Sequence, residues 1–301
     1  MQKITTHLWF DKEAKEAASF YTSVFPNARI LSTTTLEGTP SGAVDIVVID
    51  LDGQEFTLLS AGPYFKINPS VSFFLNFDPS RDPQARENLD TMWEQLSQGG
   101  KVLMSKQEYP FSKQYGWIQD KFGVSWQLIL TAPVGEPRPF IVPSLLFVGP
   151  VCGKAEEATK FYQTIFKHSK QGTVARYPAG MEPDLEGSIM FTDFMIENQW
   201  FGAMDSAHTH AFSFNEAVSF IVHCNDQAEV DYFWEKLSAD PKAEQCGWLK
   251  DRYGLSWQIV PTDMEVMMKN GTKEQMARVT EAFLKMKKFD IATLRKAYDQ
   301  P

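Results

Sequence analysis

The chain is poor in cysteine and has no long apolar run. Its three cysteines, Cys152, Cys224 and Cys246, are odd in number and far apart, which excludes a disulfide framework and a zinc-cysteine cluster. No stretch approaches the ~20 apolar residues that a bilayer span requires. The start, from Met1 to His7, carries one basic residue and meets charge again at Asp11, so it lacks the form of a secretory leader. A cytoplasmic protein without a membrane partner is expected. No lysine- or arginine-rich block offsets the formal net charge of −9, which argues against a nucleic-acid partner.

What is present is repetition. Residues 116–130 read GWIQDKFGVSWQLIL and residues 247–261 read GWLKDRYGLSWQIVP, a shift of 247 − 116 = 131 positions. Both read strand, turn, strand. Gly123 and Gly254 supply the positive φ of a short hairpin loop, and Asp120 and Asp251 are placed to bond nearby backbone N–H groups. Trp126/Trp257 and Trp117/Trp248 could stack an aromatic ligand, but large aromatics on repeated strands are more often core. Other segments recur: Leu8-Trp9-Phe10 as Leu145-Leu146-Phe147, Phe20-Tyr21 as Phe161-Tyr162, and Val71-Ser72-Phe73 as Val218-Ser219-Phe220.

These matches define two copies, 1–132 and 141–262, joined by a proline-rich linker at 133–140 and followed by a helical extension at 263–301. Each copy reads as β-α-β-β-β twice, an α+β pattern. In the first, strands are expected at 4–10, 29–36, 44–51 and 55–60, with a helix N-capped by Asp11. Then come a strand at 71–77, a helix over 78–98, a strand at 101–105 and the hairpin. The second copy is shorter before its hairpin, where one strand is expected to be missing. The helical extension is expected to pack on the second copy.

The paired β-α-β-β-β units, with Leu8-Trp9-Phe10, Phe20-Tyr21 and the Gly116-Trp117…Trp126-Gln127 motif, resemble the PhnB-like branch of the vicinal oxygen chelate superfamily. This is the glyoxalase, bleomycin-resistance and dioxygenase fold, and the branch also carries the label "3-demethylubiquinone-9 3-methyltransferase". The resemblance implies two tandem domains whose curled mixed sheets surround a cleft. In catalytic relatives that cleft holds a divalent metal, which polarises vicinal oxygens of the substrate. The implied ligand positions fall near Thr5, at 56–58, and at Ser72 and Gln127. In the second copy they fall at Val142, at 201–204, and at Ser219 and Gln258. Only the glutamines are metal donors there, so no metal and no other cofactor is expected, a divalent ion being the alternative.

The expected function is binding of an unidentified small molecule in a cleft of the first copy lined by Thr5, His7, Trp9, Ser72, Phe74 and Gln127, with Gln258 as the counterpart glutamine. His7 is the candidate catalytic residue, as a base, hydrogen-bond partner or shifted ligand. The second copy has Val142, Ser144 and Leu146 in place of Thr5, His7 and Trp9, and reads as scaffold. Whether the protein is an enzyme is left open by the residues. The alternatives are a metal-dependent lyase, isomerase or dioxygenase, and the methyltransferase of the family label. The latter is disfavoured because no glycine-rich loop leads from a strand into a helix. His208 and His210, with Asp205 nearby and His223 on the next strand, form a weaker metal candidate, and Cys246 is a candidate thiol. Tandem copies imply that one chain pairs its halves as single-domain relatives pair two subunits. A homodimer of the whole chain is the further option.

Overall fold

The computed structural model describes residues 2–132 and 136–300; residues 133–135 of the proline-rich linker, Met1 and Pro301 lie outside them. The first module is β1 (Ile4–Phe10), α1 (Ala14–Val24), β2 (Arg29–Thr39), β3 (Gly42–Leu51) and β4 (Gln54–Ser60). The second is β5 (Val71–Phe77), α2 (Ala85–Ser97), β6 (Lys101–Tyr109), β7 (Ser112–Gln119) and β8 (Ser125–Leu130). The third is β9 (Ile141–Val148), α3 (Ala155–Ile165), β10 (Lys170–Arg176), β11 (Ile189–Ile196) and β12 (Gln199–Ser206). The fourth, β13 (Val218–Cys224), α4 (Gln227–Leu237), β14 (Trp248–Lys250) and β15 (Ser256–Pro261), has one strand fewer among the described residues. Helices α5 (Thr262–Asn270), α6 (Lys273–Phe283) and α7 (Ile291–Asp299) follow.

Two helix starts differ from expectation. Asp11 does not cap α1, which begins at Ala14; the Ala14 N–H donates instead to Ser60 Oγ at 3.0 Å. Helix α2 begins at Ala85, not at residue 78. Pro83 disfavours helical backbone at Asp82 before it, and Asp78 closes a local turn by accepting from the Ser80 N–H at 2.8 Å.

The sheets are not built from one copy each. One has the order β14-β15-β13-β1-β4-β3-β2 and the other β10-β11-β12-β9-β5-β8-β7-β6. The first module therefore pairs with the fourth, and the second with the third. Two compact units result: unit 1 comprises 1–22, 29–66 and 214–301, and unit 2 comprises 23–28 and 67–213. The sequence copies 1–132 and 141–262 each contribute one module to each unit. Strand alternation sets the faces. In unit 1, Leu8, Phe56, Phe220 and Trp257 are buried on the helix-covered face. Thr5, His7 and Trp9 point to the opposite face, the one the resemblance makes concave.

The repeated turn motif is structural. Asp120 Oδ1 accepts from the N–H groups of Phe122 at 2.8 Å and Val124 at 3.1 Å, while Oδ2 accepts from the Trp126 indole at 2.8 Å. Asp251 does the same with Tyr253 at 2.9 Å, Leu255 at 3.1 Å and Trp257 at 2.9 Å. Both tryptophans are core. Gly123 and Gly254 take φ of +88° and +84°, as the sequence pattern requires.

Gly116 has another reason to be glycine. A Cβ there would lie 2.3 Å from Cζ3 of Trp93 on α2 and 3.0 Å from the Lys106 Cα. Gly116→Ala is expected to cost about 1–3 kcal/mol through overpacking, read as a lower denaturant midpoint. Trp93→Leu in the same chain should recover part of the loss.

Candidate functional site

The six residues expected in one cleft divide between the two units. Ser72, Phe74 and Gln127 lie in unit 2, whereas Thr5, His7 and Trp9 lie in unit 1 with Gln258. The reason is the exchange of modules: β1 borders β4 and β13, while β5 borders β8 and β9. Each group has a pseudo-equivalent set in the other unit, and the two have diverged.

In unit 2, β5, β8 and β9 bring Phe74, Gln127 and Val142 into one row. Ser72 lies beside Ser144, and Ser144 beside Gly202. The Tyr115 hydroxyl donates to Gln127 Oε1 at 2.6 Å, and Gln127 Nε2 donates to Ser72 Oγ at 2.7 Å. Burial holds the Tyr115 phenol well above its usual range, so it remains a donor. Around this line Phe74, Tyr115, Val142 and Trp200 are buried, with Met104, Trp117, Phe191 and Met204 among the half-buried residues packed on them. Trp117 is held by its indole N–H, which donates to Ser125 Oγ at 2.7 Å. The Ser144 hydroxyl is buried with no hydrogen-bond partner. Charge at this face is compensated: Arg138 stands 3.5 Å over the Trp200 ring and pairs with Asp193 at 2.6 Å. Tyr115 and Ser144 were missing from the expected site. Tyr115 shares a strand face with Trp117, opposite Gln127, and that alternation is the sequence signal for it.

In unit 1 the equivalent face is filled. His7 replaces Ser144, and Trp248, the counterpart of Trp117, turns its ring edge-on to His7 at 5.2 Å and lies 6.1 Å from Trp9. Ser256 therefore has no indole partner, and its hydroxyl is buried unbonded. His7 Nδ1 is likewise buried without a partner, and burial lowers the imidazole to a pKa of about 3. A fully buried neutral ring of such low basicity does not suit a general base near pH 7. Trp9 packs on Phe65 at 5.1 Å and donates its indole N–H to the Gly62 carbonyl at 2.8 Å. Gln258 Nε2 donates to Ser219 Oγ at 3.0 Å, but Cys246 stands where unit 2 has Tyr115. On the same face His223 joins Thr5 Oγ1 through Nε2 at 2.8 Å and Glu265 through Nδ1.

His208 and His210 belong to unit 2 and His223 to unit 1. His208 lies 3.4 Å from Asp184, and His210 Nε2 meets Ser206 Oγ at 2.9 Å. Cys246 is a poor nucleophile, because burial pushes its thiol up.

The donor set does not fit a divalent metal. In unit 2 the implied positions present Val142, the 201–204 strand, Ser72 and a glutamine committed at both ends of its amide. In unit 1, Thr5 and Gln258 are likewise engaged. No group of three or more His, Cys, Asp or Glu side chains converges among the described residues, whereas a metal site needs three or four ligands. Among the described residues, the strand-to-helix loop nearest in form to a methyl-donor turn is 149–153 between β9 and α3, with glycines at both ends. Its backbone is taken by Asp205, whose Oδ1 accepts from Gly153 N–H at 2.7 Å and Ala155 N–H at 3.1 Å.

A comparison with curated proteins finds no match. Among solved structures, a "putative 3-demethylubiquinone-9 3-methyltransferase, PhnB protein" from Bacillus cereus is 36% identical, over 43% of this chain and 100% of that one, at a TM-score of 0.39. A Staphylococcus aureus protein is 30% identical over 43% of this chain and 97% of its own, at a TM-score of 0.17. Glyoxalase I from Zea mays aligns over 88% of this chain and 96% of its own, at 12% identity and a TM-score of 0.51, a likeness of fold. The family description "3-demethylubiquinone-9 3-methyltransferase" matches residues 2–129 and again 139–260. With two consecutive matches over most of its length, the chain belongs to that PhnB-like family, in a tandem form of the glyoxalase fold.

Proposed function

We propose that the protein binds a neutral, largely apolar small molecule on the concave face of unit 2, without a metal ion. The observation that supports this reading is the character of that face. It is lined by aromatic and methionine side chains, its central polar groups Tyr115, Gln127 and Ser72 are uncharged and mutually bonded, its charged pair, Arg138 with Asp193, is self-compensated, and the buried Ser144 hydroxyl beneath has no hydrogen-bond partner. Such a surface favours rings and alkyl groups and fixes their orientation with one or two neutral hydrogen bonds. The family label names a methyl transfer, and the residues described above lend that chemistry no support.

The test uses the neutral fluorescent dye N-phenyl-1-naphthylamine. Trp117→Ala is expected to weaken dye binding about tenfold, the loss of one well-packed aromatic contact. Trp248→Ala, at the matching place in unit 1, should leave the affinity within twofold. Equal losses in both variants would overturn the assignment to unit 2. Zinc, nickel, iron or manganese retained at one ion per chain through purification would overturn the metal-free part and favour a metal-dependent lyase, isomerase or dioxygenase.

A further inference from the structure

Two serines on neighbouring strands of unit 2 lie side by side. Ser72 of β5 faces Ser144 of β9 across an antiparallel pair, and Gly202 of β12 borders Ser144 on its other side. Directly opposed residues of such a pair share a sheet face, with Cα atoms about 4.5–5.5 Å apart. Both serines are fully buried. A serine hydroxyl has one proton to donate and two lone pairs. Ser72 accepts from Gln127 Nε2, and Gln127 accepts in turn from the Tyr115 hydroxyl. The Ser72 proton is therefore left over, and no acceptor among the described residues takes it. The Ser144 hydroxyl has no partner at all. Two O–H donors thus stand together in an apolar surround, where an unmade hydrogen bond is costly. The chain from Tyr115 through Gln127 polarises the Ser72 hydroxyl and strengthens it as a donor.

Gly202 keeps one approach to Ser144 clear. A Cβ at 202 would lie 3.0 Å from Ser144 Oγ and 3.5 Å from Cε2 of Phe74. The Phe74 ring meets Phe191 edge-on at 5.7 Å, a contact that a guest displaces without breaking a hydrogen bond. Asp193 comes next in the row beyond Gly202, but its carboxylate is turned away. It fills the space that a Cβ at Gly172 would take, and is held by the Thr173 N–H and by Arg138. Unit 1 also buries an unpaired hydroxyl, Ser256, but its strand neighbours are Ser219 and Lys250, with no glycine beside it.

On the reading that unit 2 binds a small molecule, we propose that this molecule carries a neutral carbonyl group, whose oxygen enters over Gly202 and accepts from the Ser144 and Ser72 hydroxyls together. A carbonyl oxygen offers two lone pairs and no proton, which matches two adjacent donors. A ligand hydroxyl or ammonium would bring protons of its own to a place already supplied with them. A carboxylate would offer lone pairs, but Arg138 is already matched to Asp193, so the added charge would be buried uncompensated.

The experiment titrates the full chain with two neutral dyes of matched size, 6-propionyl-2-(dimethylamino)naphthalene and its 6-propyl counterpart, which lacks the carbonyl. Ser144→Ala is expected to weaken the ketone about fivefold, the fold-change of one neutral hydrogen bond. The emission of the bound ketone should move to shorter wavelength, and affinity for the propyl dye should stay within twofold. Because the hydroxyl is unpaired in the free protein, the same variant should unfold at an equal or higher urea midpoint. Ser256→Ala in unit 1 should change neither affinity. Equal losses of both dyes in Ser144→Ala, an unchanged ketone affinity, or no binding of the ketone to the unmodified chain would each overturn the carbonyl site. A lowered urea midpoint would also sink it, by showing the hydroxyl already bonded in the free protein. Trp117→Ala separates the two proposals. If it weakens both dyes while Ser144→Ala weakens neither, unit 2 binds as proposed but not through a carbonyl. If it weakens neither, unit 2 is not the binding site and both proposals fall.

Discussion

Asp251→Ala is expected to destabilise unit 1 by about 4 kcal/mol, and Asp120→Ala to do the same in unit 2. Each carboxylate is buried and accepts three hydrogen bonds, two from its own turn and one from a core tryptophan. Hydrogen bonds to a charged acceptor contribute roughly 1.5–3 kcal/mol each, and a buried donor left unpaired costs about 1–3 kcal/mol. Alanine removes all three acceptor contacts and strands the Trp257 indole N–H in the core. Part of the sum is recovered by water at the turn, which is why the total stays near the lower bound. Urea unfolding followed by tryptophan emission would measure it. A loss below about 1 kcal/mol would mean that the aspartate serves the turn locally and leaves the core unaffected.

Acidification is expected to weaken unit 1 through His7. Burial holds its imidazole at a pKa of about 3, against 6.5 for the exposed group. Above pH 6.5 the ring is neutral in both folded and unfolded chains, and its contribution is constant. As pH falls from 6.5 towards 3, the unfolded chain takes up a proton that the folded one refuses. Stability is therefore lost at up to roughly 1.4 kcal/mol per pH unit, or about 3 kcal/mol by pH 4.5. His7→Phe removes the titration while keeping a ring beneath Trp248. The slope of unfolding free energy against pH between 7 and 4.5 should be shallower in the variant by that amount. Other groups titrate in this range in both proteins, so the difference between the two slopes isolates the ring. Equal slopes would show that His7 meets solvent or a proton acceptor in the folded state.

Much of the fold was legible from local pattern. Alternation in 71–77 and 125–130 marks strands, the Asp-x-x-Gly turns mark hairpins, and the shortened fourth module follows from the spacing. Local pattern does not specify which strand edge finds which. β1 meets β13, more than two hundred positions away, and nothing in either strand's periodicity distinguishes that partner from β5. The candidate site inherited this ambiguity. Parity puts each candidate residue on a sheet face but does not say which sheet: Thr5 and Gln127, expected in one hollow, belong to different sheets. The extension at 263–301 showed its apolar stripe plainly. Its seat was not legible, because Ile46 and Val260 carry no mark that they await a helix in place of a ligand. The Thr5, His223 and Glu265 connection is a further case, assembled from three separate elements that only the tertiary structure brings together.

The exchange of modules has a consequence for cutting the chain. A break anywhere in 133–140 would leave two pieces, each holding half of one sheet and half of another, so neither piece alone would own a complete hydrophobic interior. The pieces should be obliged to find each other, behaving as the unlike subunits of a heterodimer whose assembly and folding are a single event.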